Sequence, residues 1–353
     1  MSEDPATRLR RGWTTGACAT AATKAALQML WGDETPATVG ITLPKGEQPV
    51  FAVHNSAQTE TSATVEIEKD AGDDPDVTHG AIIGVTVTAS EGGVVFKAGE
   101  GVGIVTKPGL PIPVGEPSIN PVPRSMMEGV VAQMAALYGQ APDVAITVHV
   151  QNGAALALKT WNPRLGIEGG LSILGTTGVV RPFSCAAWIA SIHRGIDVAI
   201  ASDTRHVAGC TGSTSEATVQ KLHKLPDHAM LDMGDFAGGL LKYLKKHPVA
   251  RITIGGGIGK MTKLAQGARD LHSKRSQVDF AVLGDWAIGA GLPDVRDANT
   301  ALEAFERAGS QLAGIIARNA LAEVNNMLEG TDIKADIVVI DRAGKVIAQE
   351  EAT

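Results

Sequence analysis

Four segments of this chain carry residue types whose spacing can do chemistry. The densest is Lys69-Asp-Ala-Gly-Asp-Asp-Pro-Asp-Val-Thr-His79-Gly80. Carboxylates on a glycine–proline turn can hold a cation, orient an ammonium or sulfonium group, or take a proton, and Asp70 and Asp73 are the candidates for proton transfer. The same residue types also make ordinary solvated turns, and the run lacks the terminal Glu of an EF-hand loop. Residues 99–124 form a long Gly/Pro-rich stretch with few charges, which reads as a packed binding loop or as a bulge with a proline connector. In Trp161-Asn-Pro-Arg164-Leu-Gly-Ile-Glu-Gly-Gly-Leu-Ser-Ile-Leu-Gly175-Thr-Thr-Gly178, an apolar strand is expected to end in small residues before a helix. Such turns offer unpaired amides to a ligand.

The fourth segment is Ile254-Gly-Gly-Gly-Ile-Gly-Lys260-Met-Thr. It resembles a phosphate-binding loop, but isoleucine stands where the first glycine belongs, and methionine follows the lysine in place of the magnesium-binding hydroxyl. As a dinucleotide fingerprint it fails as well, because Lys260 occupies the third glycine position. What survives is a glycine-rich turn from strand to helix. Of the nine histidines none has metal-ligand spacing, and His272, in Asp270-Leu-His-Ser, is the candidate base. No Gly-x-Ser-x-Gly elbow is present.

These segments need elements to hold them. A helix is expected after Thr14-Thr15-Gly16 and through to about Leu30, with Ala22, Ala25, Ala26, Met29 and Leu30 on one face and threonine as N-cap. Strands follow at residues 39–43, 50–53, 63–68 and 81–89, the last with period-two alternation. The prolines of residues 108–123 exclude regular structure, a helix follows from Pro123 to Leu137, and residues 145–150 return as a strand. From about Leu171, short apolar runs at 171–174, 198–201, 229–233 and 251–254 alternate with helix-length segments, the rhythm of an open, mostly parallel sheet. Helices at 297–308 and 311–328 precede a strand at 336–341. The reading is therefore two domains: residues 1–165, α+β with the Gly/Pro-rich binding loop, and residues 166–353, Rossmann-like α/β.

Composition narrows the function classes. With 353 residues, two cores are expected. A net charge of −7, no basic run and 4% aromatic residues argue against nucleic acid as a partner. Cys18, Cys185 and Cys210 are too few and too scattered for a disulfide framework or a structural zinc site, so no metal is expected. The opening residues, polar and then basic, lack an apolar signal segment, and no stretch reaches membrane-spanning length. A cytoplasmic setting is the expectation.

Five stretches, taken in order, resemble the CbiD family of cobalt-precorrin-5B C-1 methyltransferases. They are Gly12-Trp-Thr-Thr-Gly-Ala-Cys-Ala-Thr-Ala-Ala-Thr-Lys-Ala-Ala-Leu, the acidic turn 69–80, residues 99–124, Asn162 to Gly178, and Gly257-Ile-Gly-Lys-Met-Thr-Lys-Leu-Ala. The resemblance implies a second half of Rossmann type, S-adenosylmethionine as methyl donor, and a ring-contracted tetrapyrrole as acceptor. That acceptor's carboxylates call for cationic partners, and Lys107, Arg124, Arg164 and Arg181 lie inside or beside the resembling segments, with Thr14 and Thr15 as further substrate contacts. For the donor, the expected cradle is Gly175, Thr176, Thr177 and Gly178 with Gly255, Gly256, Gly257 and Gly259. Three stretches depart from the family pattern: Arg181-Pro-Phe-Ser, Asp203 to Gly212, and Gly255-Gly-Gly. They leave open whether the acceptor carries cobalt, and a homo-oligomer is compatible with the reading. Two other classes also stay open: a nucleotide-dependent enzyme built on residues 255–260, and a corrinoid carrier without catalysis.

Overall fold

The computed structural model describes residues 9–351, so most of the opening polar stretch lies outside the described residues. The chain divides into two compact units between Ser184 and Cys185. Residues 166–184, expected in the second domain, pack with the first. Both units are mixed α/β.

The first unit contains, in chain order, β1 (Gly12–Trp13), α1 (Thr15–Gly32), β2 (Thr38–Gly40), β3 (Val50–Ala52), β4 (Asn55–Gln58), β5 (Ser62–Glu68), β6 (Ile82–Ala89), β7 (Val94–Ala98), β8 (Ile104–Val105), α2 (Pro121–Tyr138), β9 (Val144–Val150), α3 (Gly153–Ala157), β10 (Ile167–Glu168) and β11 (Val179–Val180). Its main sheet runs β4-β5-β6-β9-β7, antiparallel except for the β7–β9 pair. Ala63, Val65 and Ile67 of β5 alternate inward toward α1, the period-two pattern of a half-buried strand. Helix α1 is buried nearly all round, and its alanines let it lie close to β5, β6 and α2. The prolines at 121 and 123 occupy the first turn of α2, where a missing N–H costs no helical bond.

The second unit contains α4 (Cys185–Ala201), β12 (His206–Cys210), α5 (Ser213–His223), α6 (Ala237–Leu244), β13 (Arg251–Gly257), α7 (Ile258–Ala265), α8 (Phe280–Gly289), α9 (Ala301–Met327), β14 (Lys334–Ile340) and β15 (Val346–Glu351). Its sheet runs β12-β13-β14-β15, parallel across the first three strands and antiparallel at β15. Ala335 to Ile340 are buried continuously, as a strand covered on both faces requires.

Three expected strands of this half are something else. Residues 198–201 are the last turn of α4, whose Ile192, Ile196 and Ala199 form a helical apolar face. Residue 229 ends a 3₁₀ turn, and residues 230–233 touch the sheet through one bridge, Ala208 to Met230. Residues 171–174 belong to the first unit, where Leu171 bridges Val102 and Ile173 bridges Ile119. The strand at the sheet edge is β12, which no expected strand covers and which lies in the stretch from Asp203 to Gly212 that departs from the family pattern. The expected break between two late helices is real: α9 leaves helical geometry at Gly309 (φ 74°, ψ −165°).

One buried polar network crosses the second sheet. Asp336, fully buried on β14, accepts from Arg251 Nε at 2.5 Å, Arg251 Nη2 at 2.9 Å and Thr253 Oγ1 at 3.1 Å. Thr253 Oγ1 also hydrogen-bonds His206 Nε2 at 2.8 Å, and burial pushes that imidazole down to about 4, so it is neutral at pH 7. Removing Asp336 takes away the acceptor these donors share and leaves Arg251 only its 3.4 Å pairing with Glu351 among the described residues. Asp336→Ala should therefore lower stability by about 3 kcal/mol, read as a fall in the urea midpoint of the second unit. An unchanged midpoint would show that the network contributes nothing.

Candidate functional site

All six expected substrate residues lie in the first unit, and two of them, Thr14 and Thr15, form the start of α1. Thr14 caps the helix, its Oγ1 accepting from Ala17 N at 3.2 Å, while Gly16 N donates to Leu174 O at 2.9 Å and Thr14 N to Gly178 O at 3.0 Å. Thr15 Oγ1 accepts from Leu174 N at 2.9 Å. Strand β1 pairs with β11 immediately beyond. Residues 175–178 thus do not open a helix of a parallel sheet; they wrap the N-terminus of α1. Gly175 has φ +131°, and a Cβ there would run into the Thr14 side chain. Thr14, Thr15 and residues 175–178 are brought together, with Thr176 exposed.

The acidic turn lies against the same region. Trp13 N donates to Asp70 O at 2.7 Å, and a Cβ on Gly12 would overlap the Ala71 backbone, so only glycine lets the two segments meet. Arg10 clamps the turn, its guanidinium on the Asp70 carboxylate and its backbone N–H on Asp73 Oδ2 at 2.6 Å. The Arg10 hydrogen bond holds the Asp70 carboxyl below its usual range, which makes Asp70 a weak base. Beneath the turn Lys69 is buried, its Nζ donating to Asp76 Oδ2 at 2.7 Å. Burial pushes the Asp76 carboxyl up, but Lys69 and the Thr78 donors outweigh it and the net direction is down.

The Gly/Pro-rich loop is a packed lobe. Strand β8 pairs with β10, Ser118 Oγ lies 2.8 Å from Ser172 Oγ, and Asn162 Nδ2 donates to Gly170 O at 3.0 Å. The Lys107 side chain lies along Gly166, and the Arg164 guanidinium lies 5.8 Å from the centre of the Trp161 ring, so these two cations share the lobe. Arg124 is committed to structure: its Nε donates to Ile119 O at 2.9 Å, its Nη2 reaches Pro117 O at 3.1 Å, and it stacks over Phe96. Arg181 is exposed beyond β11.

In the second unit, the carboxyl ends of the parallel strands carry two strand-to-helix turns side by side, Cys210 to Ser213 and Gly256 to Ile258. A Cβ on Gly255 would meet Val219 and Cys210, and one on Gly256 would meet Thr211 and Met261. Gly257 and Gly259 differ: their Cβ positions look into open space, and Gly257 has an ordinary φ of −71°. Neither backbone strain nor packing calls for glycine at these two positions. Beside them Lys260 Nζ lies 2.9 Å from Asp235 Oδ1 and donates to Thr211 O at 3.0 Å. Asp235 O accepts from Leu271 N at 2.8 Å, which brings the exposed His272 to this edge. His272 Nδ1 accepts from Lys274 N at 3.2 Å.

The expected residues therefore form two groups in different units: Thr14, Thr15, Asp70, Asp73 and 175–178 in the first, and Gly255 to Gly259 with His272 in the second. Sequence reasoning missed Arg10, Asp235 and the turn after β12. The last had a legible signal, since apolar His206-Val-Ala-Gly-Cys followed by Thr-Gly-Ser is itself a strand ending in small residues.

The CbiD family model matches residues 2–182, and the model of the CbiD C-terminal domain matches residues 270–351. A Brucella anthropi protein named cobalt-precorrin-5B C(1)-methyltransferase is 58% identical over 351 residues, covering 97% of this chain and 95% of that protein. A Brucella ovis protein of the same name is 57% identical with the same coverage. A crystal structure of cobalamin biosynthesis protein cbiD from Archaeoglobus fulgidus is 27% identical, covers 76% of this chain and 83% of that one, and superposes with a TM-score of 0.42.

Because the folded Asp76 carboxyl is depressed, its contribution to stability is fully present above the unfolded value of about 3.9 and is lost as pH falls below that, through the folded value. Asp76→Asn should cost roughly 3 kcal/mol at pH 7 by leaving Lys69 buried and unpaired, and should flatten the acid limb. Urea midpoints of wild type and variant that fall in parallel from pH 5 to pH 3 would refute the assignment.

Proposed function

The chain belongs to the CbiD family, and from that premise we propose that it is a C-methyltransferase acting on C-1 of cobalt-precorrin-5B, or of its metal-free counterpart, to give the corresponding precorrin-6A. The observation that carries this reading is the near-full-length similarity to proteins of that name. The proposed methyl donor is S-adenosylmethionine, and the proposed setting is a cytoplasmic step of corrin biosynthesis. No described helix is long and apolar enough to cross a membrane.

We read the second unit as Rossmann-like, with the donor at the carboxyl ends of β12 and β13. The open space at Gly257 and Gly259 supports this, because it is the room a nucleoside needs against the backbone. Lys260 and Asp235, paired with each other, form the polar rim of this turn. When bound, S-adenosylmethionine supplies an electrophilic methyl group on a sulfonium centre. What the protein has to add is placement, since holding two reactants in line is worth roughly 7–11 kcal/mol in well-oriented model reactions. In the first unit, Lys107 and Arg164 are the proposed contacts for acceptor carboxylates, joined by Arg181, Thr14, Thr15 and the exposed rim of residues 175–178. Arg124 is the weakest of the original candidates, because its donors are spent on the 116–119 loop. For proton removal, His272 suits the task better than Asp70, whose carboxyl Arg10 holds in its ionised, weakly basic form.

A nucleotide-dependent phosphotransferase is not favoured. Lys260 is engaged by Asp235 and the Thr211 carbonyl, and Met261, where a metal-binding hydroxyl would stand, is fully buried.

Incubation with a precorrin-5 pool and methyl-labelled S-adenosylmethionine should give a macrocycle one methyl heavier by mass spectrometry; no label with either the cobalt or the metal-free pool would overturn the reading. Gly257→Leu should leave the thermal midpoint within a few degrees, because its Cβ enters open space, yet weaken S-adenosylhomocysteine binding by at least about tenfold. Unchanged affinity in calorimetry would remove the cradle from this turn.

A further inference from the structure

Of the described aromatic side chains, only Phe183 and Trp188 are exposed. Trp188 stands on the first turns of α4 with 46% of its surface open, yet it is fixed in place. Its Nε1 donates to Asp232 O at 3.0 Å, Gly234 lies under the ring, and the Phe236 ring is tilted against it at 6.3 Å between centroids. A tryptophan with its polar atom satisfied and its ring braced presents a rigid apolar surface, an arrangement suited to stacking.

Two neighbours give that surface a direction. The loop beneath it, residues 232–236, also carries Asp235, which pairs with Lys260 beside Gly257 and Gly259. The exposed ring is therefore one short loop from the proposed donor cradle. Cys185 stands three residues before Trp188 on the same helix face, and Arg275 Nη2 reaches its Sγ at 3.3 Å. Arg275 is itself exposed and also pairs with Asp270 at 2.5 Å. An open indole face with a guanidinium one helical turn away is complementary to a large flat π-system that carries carboxylates at its rim.

We propose that Trp188 is the platform on which the tetrapyrrole acceptor stacks, with Arg275 holding one of its peripheral carboxylates. The inference rests on the methyltransferase reading. It deepens that reading by putting an acceptor contact in the second unit, beside the donor, where the sequence placed cationic contacts for the acceptor only as far as Arg181. Trp188 acts by binding and orienting; it takes no part in bond making.

The test uses the full chain and uroporphyrin III, a flat octacarboxylated tetrapyrrole, with fluorescence anisotropy for its binding and calorimetry for S-adenosylhomocysteine. Trp188→Ala should weaken the tetrapyrrole by about tenfold or more, the scale of losing one stacking partner, and leave the donor affinity within about twofold. In turnover the same variant should raise KM for the macrocycle more than it lowers kcat. Trp188→Phe should recover most of the binding, and Arg275→Gln should lose a few-fold of it. Tetrapyrrole affinity in Trp188→Ala equal to wild type would overturn the proposal while leaving the methyltransferase reading intact. Wild-type protein that binds S-adenosylhomocysteine but transfers no methyl group to the macrocycle would overturn both.

Discussion

A helix that starts inside a protein has to find partners for its first amides, and α1 finds them far away in sequence. Thr14 supplies one from its own side chain, but Gly16 N is met by Leu174 O, and the Thr15 hydroxyl is met by Leu174 N. Several other features of the first unit go with this closure. It draws β11 onto β1, carries the 162–174 segment across the Gly/Pro-rich loop, and sets the acidic turn against residues 10–13. The alanines of α1 serve the same end, since a helix buried on almost all sides has room only for small side chains where it approaches β5 and β6.

The two glycine-rich turns look alike as sequence and differ as physics. In residues 175–178 the backbone is spent on the protein itself: Gly178 O receives Thr14 N, and Gly175 is needed because Thr14 occupies its side-chain space. In residues 255–259 the first two glycines are packed and the other two face open volume. Glycine without a steric or conformational reason inside the protein is what a ligand-facing turn looks like from the protein's side, and that difference, rather than the motif, gives the second unit its place in the proposed chemistry.

The first half of the chain was readable because its signals are local. Period-two alternation marked β5 and β6, and the threonine cap and alanine-rich run marked α1. Strand β4, exposed along most of its length, carried no such signal. In the second half, apolar runs of four or five residues suggest strands, and such runs cannot be told from buried helix or buried coil by periodicity alone. Residues 198–201 are helix because the face continues from Ile192, and residues 230–233 are coil lying against the sheet edge. As for the site, residue types pointed to the acidic turn and the glycine turns. The roles of Arg10, Asp235 and Trp188 depend on pairings across 60, 25 and 44 residues that no local pattern contains.

The strand order of the second sheet bears on how the protein is made. Strands β12 and β13 are complete by residue 257, but β14 and β15, half of the sheet, come only with residues 334–351. Two parallel strands have little stability alone, and β14, buried from Ala335 to Ile340, pairs along the whole of β13. Between the two stages of synthesis, the apolar β13 and the helices around it therefore wait without the strand that covers its open edge. Assembly of this unit therefore waits for β14 and β15, and the nascent chain is most exposed to misassociation before they are made.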